Sequence, residues 1–277
     1  MEYVLTLSCE DRVGIVHAVA KYLHESRCNI LDSQQFADRI AGRFFMRVHV
    51  ETLSDAREDL AAGFSAIAAG FGMEWALNDM AVRPRALIMV SKAGHCLNDL
   101  LYRRSAESLR IDVPLVLGNH PDLSGLAEAH GVPFELAAGS MEQTEARLLD
   151  LVNQMRIDFV VLARYMRILS PGFCEKLPGR IINIHHSFLP SFKGARPYHQ
   201  AHARGVKLIG ATAHYVTADL DEGPIIEQEV VRVDHTYSPA DLAAVGRDAE
   251  RIALARAVRW HAEHRVLLNG HRTVVFR

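Results

Sequence analysis

The chain has 277 residues, of which 49% are hydrophobic and 23% charged, and a formal net charge of -2. That composition belongs to a fully folded globular protein and excludes a disordered chain. The charge balance offers no global attraction to phosphates, so no nucleic acid partner is expected. The length exceeds the usual size of one core, so two domains are expected.

In chain order, "YVLTLSC" at 3–9 is a β-rich run, and "EDRVG" is a polar turn before Ile15, Val19, Tyr22 and Leu23 at helical spacing. "CNILDSQQFAD" and "RFFMRVHVE" read as extended segments separated by residues 38–42. An alanine-rich helix over 54–69 and a closing strand in "MEWALND" complete the order βαββαβ, that of a ferredoxin-like unit. Pro84 disfavours helix at Arg83, and a new strand, "ALIMV", starts at Ala86. The expected domains are therefore 1–82 and 83–277.

In the second domain strands alternate with helical stretches: 86–90, a helix at 95–106, "VPLVLGN", a helix at 123–130, "VPFEL", a helix at 142–155, "DFVVLA" and "RIINIH". This alternation predicts an α/β domain with right-handed crossovers and a Rossmann-like, mostly parallel sheet. "LIGATAHYV" and "PIIEQEVVRV" read as a strand pair joined by "TADLDEG", with one long amphipathic helix over 238–264. No apolar run is long enough to span a bilayer, so no membrane partner is expected. The start lacks the basic, then apolar, pattern of a secretory signal. Cys9, Cys28, Cys96 and Cys174 form no C-x-x-C pair. Together these features predict a reducing, cytoplasmic location.

The chemistry concentrates in "NIHHSFLP". In an open α/β sheet, ligands gather at the carboxyl ends of strands, and this segment ends one. Side chains alternate along a strand, so Asn183 and His185 share a face while Ile182 and Ile184 pack on the other. An amide N–H and a protonatable imidazole suit a carbonyl that becomes an oxyanion under attack. The histidine also needs a carboxylate to orient it, and the turn offers Asp219, Asp221 and Glu222 without selecting among them. Taken singly, Asn-x-His is more often a satisfied core pair, and "DEGP" more often a plain turn.

Taken together, "NIHHSFLP", "GATAHYV" and "LDEGPII" resemble the folate-dependent formyltransferase family, which moves or removes the formyl group of 10-formyltetrahydrofolate. The resemblance implies that Asn183, His185 and Asp221 are catalytic, with His214 lining the site. "SFLPSFKGARPYHQAHARGVKLIGATAHYVTADLDEGPII" is more similar to the hydrolytic branch of the family, which releases formate, than to the branch that formylates phosphoribosylglycinamide. His186 stands where the transferase branch usually has proline; it orients the attacking water or is a structural histidine. "SKAGHCLNDLL" keeps only Gly94 of the loop that cradles an acceptor phosphate, which argues against a phosphorylated acceptor.

"EDRVGIV" and "CNI" resemble the ACT module, a regulatory domain of the hydrolytic branch. They imply an effector loop at Asp11, Arg12 and Gly14, with glycine or methionine as the family-inspired ligand. "ARYMRILS" resembles the pterin-binding segment, so Met166, Arg167 and Leu169 are implied folate contacts, and Arg164 or Arg167 a partner for the glutamate tail. Gly194, in "SFKGARPYHQA", is implied to border the site, with Lys193 and Arg196 either beside it or solvated. His199 and His202 are expected on the surface of the following helix.

The resemblance further implies that no cofactor is permanently bound and no metal is used, the folate being substrate. Formate released would supply purine synthesis. ACT modules bury sheet edges against one another, so a homo-oligomer, dimer or tetramer, is expected. Two rivals remain. One is a metal-dependent hydrolase built from some of the fifteen histidines, though no H-E-x-x-H is present. The other is an amino-acid sensor with a degenerate second domain.

Overall fold

The computed structural model describes residues 1–52, 57–137, 139–189 and 197–277. Its contacts divide it into two compact units. One comprises Met1–Arg83 with Glu263–Asn269 and Thr273–Arg277; the other comprises Pro84–Ala262 with Gly270–Arg272.

The first unit runs β1 (Glu2–Glu10), α1 (Ile15–Glu25), β2 (Asn29–Asp38), β3 (Arg43–Glu51), α2 (Arg57–Phe71) and β4 (Glu74–Asp79). Its sheet has the order β2-β3-β1-β4, antiparallel where β1 meets β3 and β4 and where β2 meets β3. The expected βαββαβ order is present. Alternation on β1 and β3 sends Tyr3, Leu5, Leu7, Met46, Val48 and Val50 into one core with Ile15, Val19 and Leu23 of α1.

The second unit opens with β5 (Arg85–Val90), α3 (His95–Ser105) and β6 (Asp112–Gly118). A 3-10 turn precedes α4 (Ser124–Ala129), β7 (Phe134–Leu136), α5 (Met141–Gln154), β8 (Phe159–Leu162) and the short α6 (Pro171–Cys174). β9 (Ile181–His185), α7 (Pro197–Ala203), β10 (Leu208–Tyr215), β11 (Ile225–Arg232) and α8 (Pro239–Ala262) follow. The seven-stranded sheet has the order β11-β10-β9-β8-β5-β6-β7. It is parallel from β9 through β7 and antiparallel where β10 meets β9 and β11. The central strands read as unbroken apolar runs because both faces are covered: every residue of β8 is buried, as are Ala86–Val90 of β5.

After α8 the chain forms a hairpin, β12 (Val266–Asn269) and β13 (Arg272–Val275), which the sequence reading did not anticipate. Most of this tail belongs to the first unit rather than the second, where the sequence reading placed it. The reason is visible at Arg47, 2% exposed on β3. A buried guanidinium needs partners; Arg47 donates to the Glu263 carbonyl at 3.1 Å and meets Asp32 at 3.4 Å. Burial, with Arg265 nearby, pushes its pKa down to about 10. Asn269 in turn donates to Asp38 at 2.8 Å.

Candidate active site

At the carboxyl ends of β8 and β9 lies a cavity of about 310 Å³. β9 delivers Asn183 and His185 to it, and β10, antiparallel to β9, places His214 opposite Asn183 and Thr212 opposite His185. The 216–224 turn brings Asp221. Gly223 makes that turn possible, since a Cβ there would collide with the Tyr215 carbonyl. Asp221 itself sits at φ 57, a left-handed conformation that aspartate tolerates better than most residues.

His185 is buried, and its Nδ1 lies 3.2 Å from Asp221 Oδ2. Its Nε2 has no hydrogen-bond partner among the described residues. Hydrogen bonding from His185, outweighing burial, holds the Asp221 carboxyl below its usual range. The anion is thus kept beside the imidazole. His214 is oriented differently: its Nδ1 donates to the Tyr215 carbonyl at 2.8 Å, leaving Nε2 to accept from Asn183 Nδ2 at 3.2 Å. Burial pushes the His214 pKa down, in keeping with that neutral tautomer. His214 therefore fixes which way the Asn183 amide points, with one N–H still available. His214 Nε2 is 3.8 Å from Asp221.

The cavity is lined by Asn183, His185, His186, His214 and Asp221, as well as by the folate candidates Met166, Arg167 and Leu169. Met166 and Ile168 are well exposed, whereas Leu169 is also part of the central core. The Met166 amide donates to Ser91 Oγ at 2.9 Å, tying this segment to the end of β5. His186 packs against His185 with ring centroids 5.1 Å apart. Burial, then the charges of Arg164 and His185, push its pKa down to about 4. Asp219 also lines the cavity, but Asp221 is the carboxylate paired with His185. Gly194, Lys193 and Arg196 lie outside the described residues, and His199 and His202 are exposed.

In the first unit Gly14 takes φ 100 at the head of α1. Arg12 donates to the Gly70 carbonyl at 2.5 Å and stacks on Phe71 at 4.5 Å, so its charge is engaged within its own unit. Asp11 is exposed, and its amide donates to the Gly42 carbonyl at 2.9 Å.

Two networks escaped the sequence reading. Thr212 Oγ1 donates to the Ser187 carbonyl at 2.9 Å and accepts from the Leu189 amide at 3.0 Å and Gln228 at 3.1 Å, pinning the segment after β9. The other surrounds Glu250 of α8, only 1% exposed. His95 Nε2 donates to it at 2.7 Å, Tyr198 donates at 3.0 Å, and Arg164 Nε lies at 3.4 Å. Burial alone would raise its pKa, but His95, Arg164 and Tyr198 outweigh that and hold it low. The available signal was a glutamate on the small-residue face shared with Gly246, Ala253 and Ala257.

Ligand atoms of His95, Cys96 and Glu250 lie within 4.8 Å of one another, the one potential metal-holding group among the described residues. The Arg164 guanidinium at 3.4 Å from the same carboxylate opposes a cation there.

Two family models match the chain: the ACT domain over residues 3–62 and Formyl transferase over 84–258. Formyltetrahydrofolate deformylase of Corynebacterium sp. (strain P-1) is 51% identical, the match covering 100% of this chain and 99% of the relative. The chain belongs to the formyltetrahydrofolate deformylase family. The solved formyltetrahydrofolate deformylase of Burkholderia mallei superposes with a TM-score of 0.96 at 52% identity, covering 100% of this chain and 99% of that one. Glycinamide ribonucleotide transformylase 1 of Symbiobacterium toebii is a more distant neighbour of the family. It has a TM-score of 0.65 and 32% identity, covering 70% of this chain and 95% of its own.

Proposed function

We propose that the chain is a hydrolase that cleaves the formamide C–N bond of 10-formyltetrahydrofolate, giving formate and tetrahydrofolate. The observation that carries this reading is His185, with Nδ1 on Asp221 and Nε2 unpartnered, beside an Asn183 amide whose orientation His214 sets. Water adds to the formyl carbon, and the carbonyl oxygen becomes an oxyanion stabilised by the Asn183 N–H and protonated His185. Asp221 holds the imidazole and positions the water. As the water adds, Asp221 accepts one of its protons; collapse breaks the C–N bond, N10 takes that proton, and the acid departs as formate with its remaining proton released to solvent. Met166, Arg167 and Leu169 contact the folate in this reading.

The test is hydrolysis in ¹⁸O-labelled water. Formate carrying the solvent label supports the reading; unlabelled formate contradicts it. The alternative, formyl transfer to phosphoribosylglycinamide, is less supported, since the transformylase neighbours cover only 70% of this chain, at 32% and 27% identity.

We further infer an amino-acid effector, glycine or methionine, at the ACT unit near Asp11, Arg12 and Gly14, supported by the ACT family match. Calorimetric titration of the full chain with each amino acid tests it; absence of heat with both contradicts it. A homo-oligomer is supported by the edge strand β2, which exposes Ile30, Leu31 and Phe36. A monomeric mass by light scattering contradicts it. A cytoplasmic setting, with the formate feeding purine synthesis, accords with this reading; cell fractionation that places the protein outside the cytoplasm contradicts the location.

A further inference from the structure

The Glu250 network is not part of the oxyanion-stabilising set, yet it reaches the same cavity. Arg164 lines that cavity and follows β8 at φ 63. A non-glycine residue held in the left-handed region at a strand end implies that its surroundings fix it there. What fixes the side chain is Glu250, to which it is ion-paired. The same carboxylate holds Tyr198, whose ring stands edge-on to His186 with centroids 6.4 Å apart. Tyr198 approaches α8 over Gly246, one turn before Glu250, where any Cβ would collide with the phenol. His95, the first residue of α3, completes the set. Two donors, His95 and Tyr198, and the charge of Arg164 converge on one carboxylate, and both of its oxygens are engaged.

A guanidinium lining a small cavity, beside an imidazole donor and a helix start, is a ready receptor for a small oxyanion. The proposed reaction produces such an anion, formate, and any phosphorylated acceptor would bring another. Glu250 satisfies the cation from inside the protein. We propose that Glu250 is a specificity-determining positioning residue: by pairing with Arg164 and holding Tyr198 and His95, it supplies the counter-charge itself and denies small oxyanions a site in the cavity. Formate then leaves freely, anionic acceptors find no anchor, and water remains the acceptor. This proposal rests on the deformylase reading for its purpose, but its physical content is anion binding, which can be measured without turnover.

The experiment is calorimetric titration of the full-length native chain and of Glu250→Gln with sodium formate and, separately, inorganic phosphate. Glu250→Gln keeps a side chain of the same shape and removes the charge. Its affinity for at least one oxyanion is expected to rise by about tenfold or more over native, which corresponds to about 1.4 kcal/mol. A gain for formate alone identifies product escape as the guarded step; a gain for phosphate identifies exclusion of anionic acceptors. A folded Glu250→Gln that binds both no better than native overturns the proposal.

Breaking a buried pair on one side is destabilising, whereas removing both charges is better tolerated. The double variant Arg164→Gln/Glu250→Gln therefore guards against loss of folding. It is expected to bind both anions within about twofold of native. A tenfold weaker affinity in the double variant would mean that Arg164 binds anions in the native chain, and the proposal fails. A native chain that releases no formate would sink the deformylase reading and leave these affinities interpretable.

Discussion

At the scale of single residues, the site depends on two histidines whose different duties are assigned by their polar partners, and on a third, His186, that is packed between rings. His214 is locked by the Tyr215 carbonyl and orients Asn183; His185 is locked by Asp221. Losing one oxyanion donor typically lowers turnover by about 10² to 10³. Asn183→Ala is therefore expected to keep its fold and lose activity on that scale, measured as kcat with circular dichroism as control. A near-native rate removes Asn183 from the mechanism. His186 carries a different signature. Its pKa of about 4 lies below the ordinary 6.5, so the native state resists the proton that the unfolded chain accepts. The stability linked to its neutral form is present above pH 6.5 and is lost as pH falls towards about 4. His186→Asn is expected to show a shallower fall of Tm between those limits than the native chain. Equal slopes would place the pH sensitivity elsewhere, His214 being the next candidate.

At the scale of elements, alternation on β9 was enough to place Asn183 and His185 on one face, because a buried strand ending in polar residues has few other arrangements. The carboxylate partner was harder to read. Asp219, Asp221 and Glu222 are equivalent in a bare turn; the family resemblance singles out Asp221, and the fold, with Asp221 at φ 57, brings it to His185. Glu250 escaped altogether because its partners come from three separate segments, so no local spacing could gather them. Thr212 is a similar case: a buried hydroxyl on β10 that holds the backbone after β9. Thr212→Val keeps the shape and strands the groups bonded to that hydroxyl. It is expected to lower stability by about 1–3 kcal/mol and to lower kcat more than it raises KM. Unchanged unfolding in urea would show that these bonds are dispensable.

At the scale of the whole molecule, the βαββαβ order and the alternating strands and helices made both folds legible from periodicity alone. The return of the tail to the first unit was not, because β12 and β13 are short and their anchoring depends on Arg47 being buried on a strand formed more than 200 residues earlier. Truncation after Ala262 removes the Glu263 carbonyl from Arg47 and the Asn269 amide from Asp38. The first unit is expected to lose at least about 1–3 kcal/mol, the penalty of a buried donor left unpaired. Thermal melts or limited proteolysis would register that loss. A truncated chain as stable as the full one contradicts the role given to the tail.

In this site water, not a phosphorylated amine, is proposed to receive the formyl group, with the protein's own side chains sufficient for the step. The most direct measurement is to incubate the purified protein with 10-formyltetrahydrofolate, with and without phosphoribosylglycinamide, in the presence of a chelator. Formate, tetrahydrofolate and formylated acceptor are then quantified. The expected result is formate matched by tetrahydrofolate, indifferent to acceptor and chelator. Formylated acceptor with little formate, or activity abolished by the chelator, would contradict it.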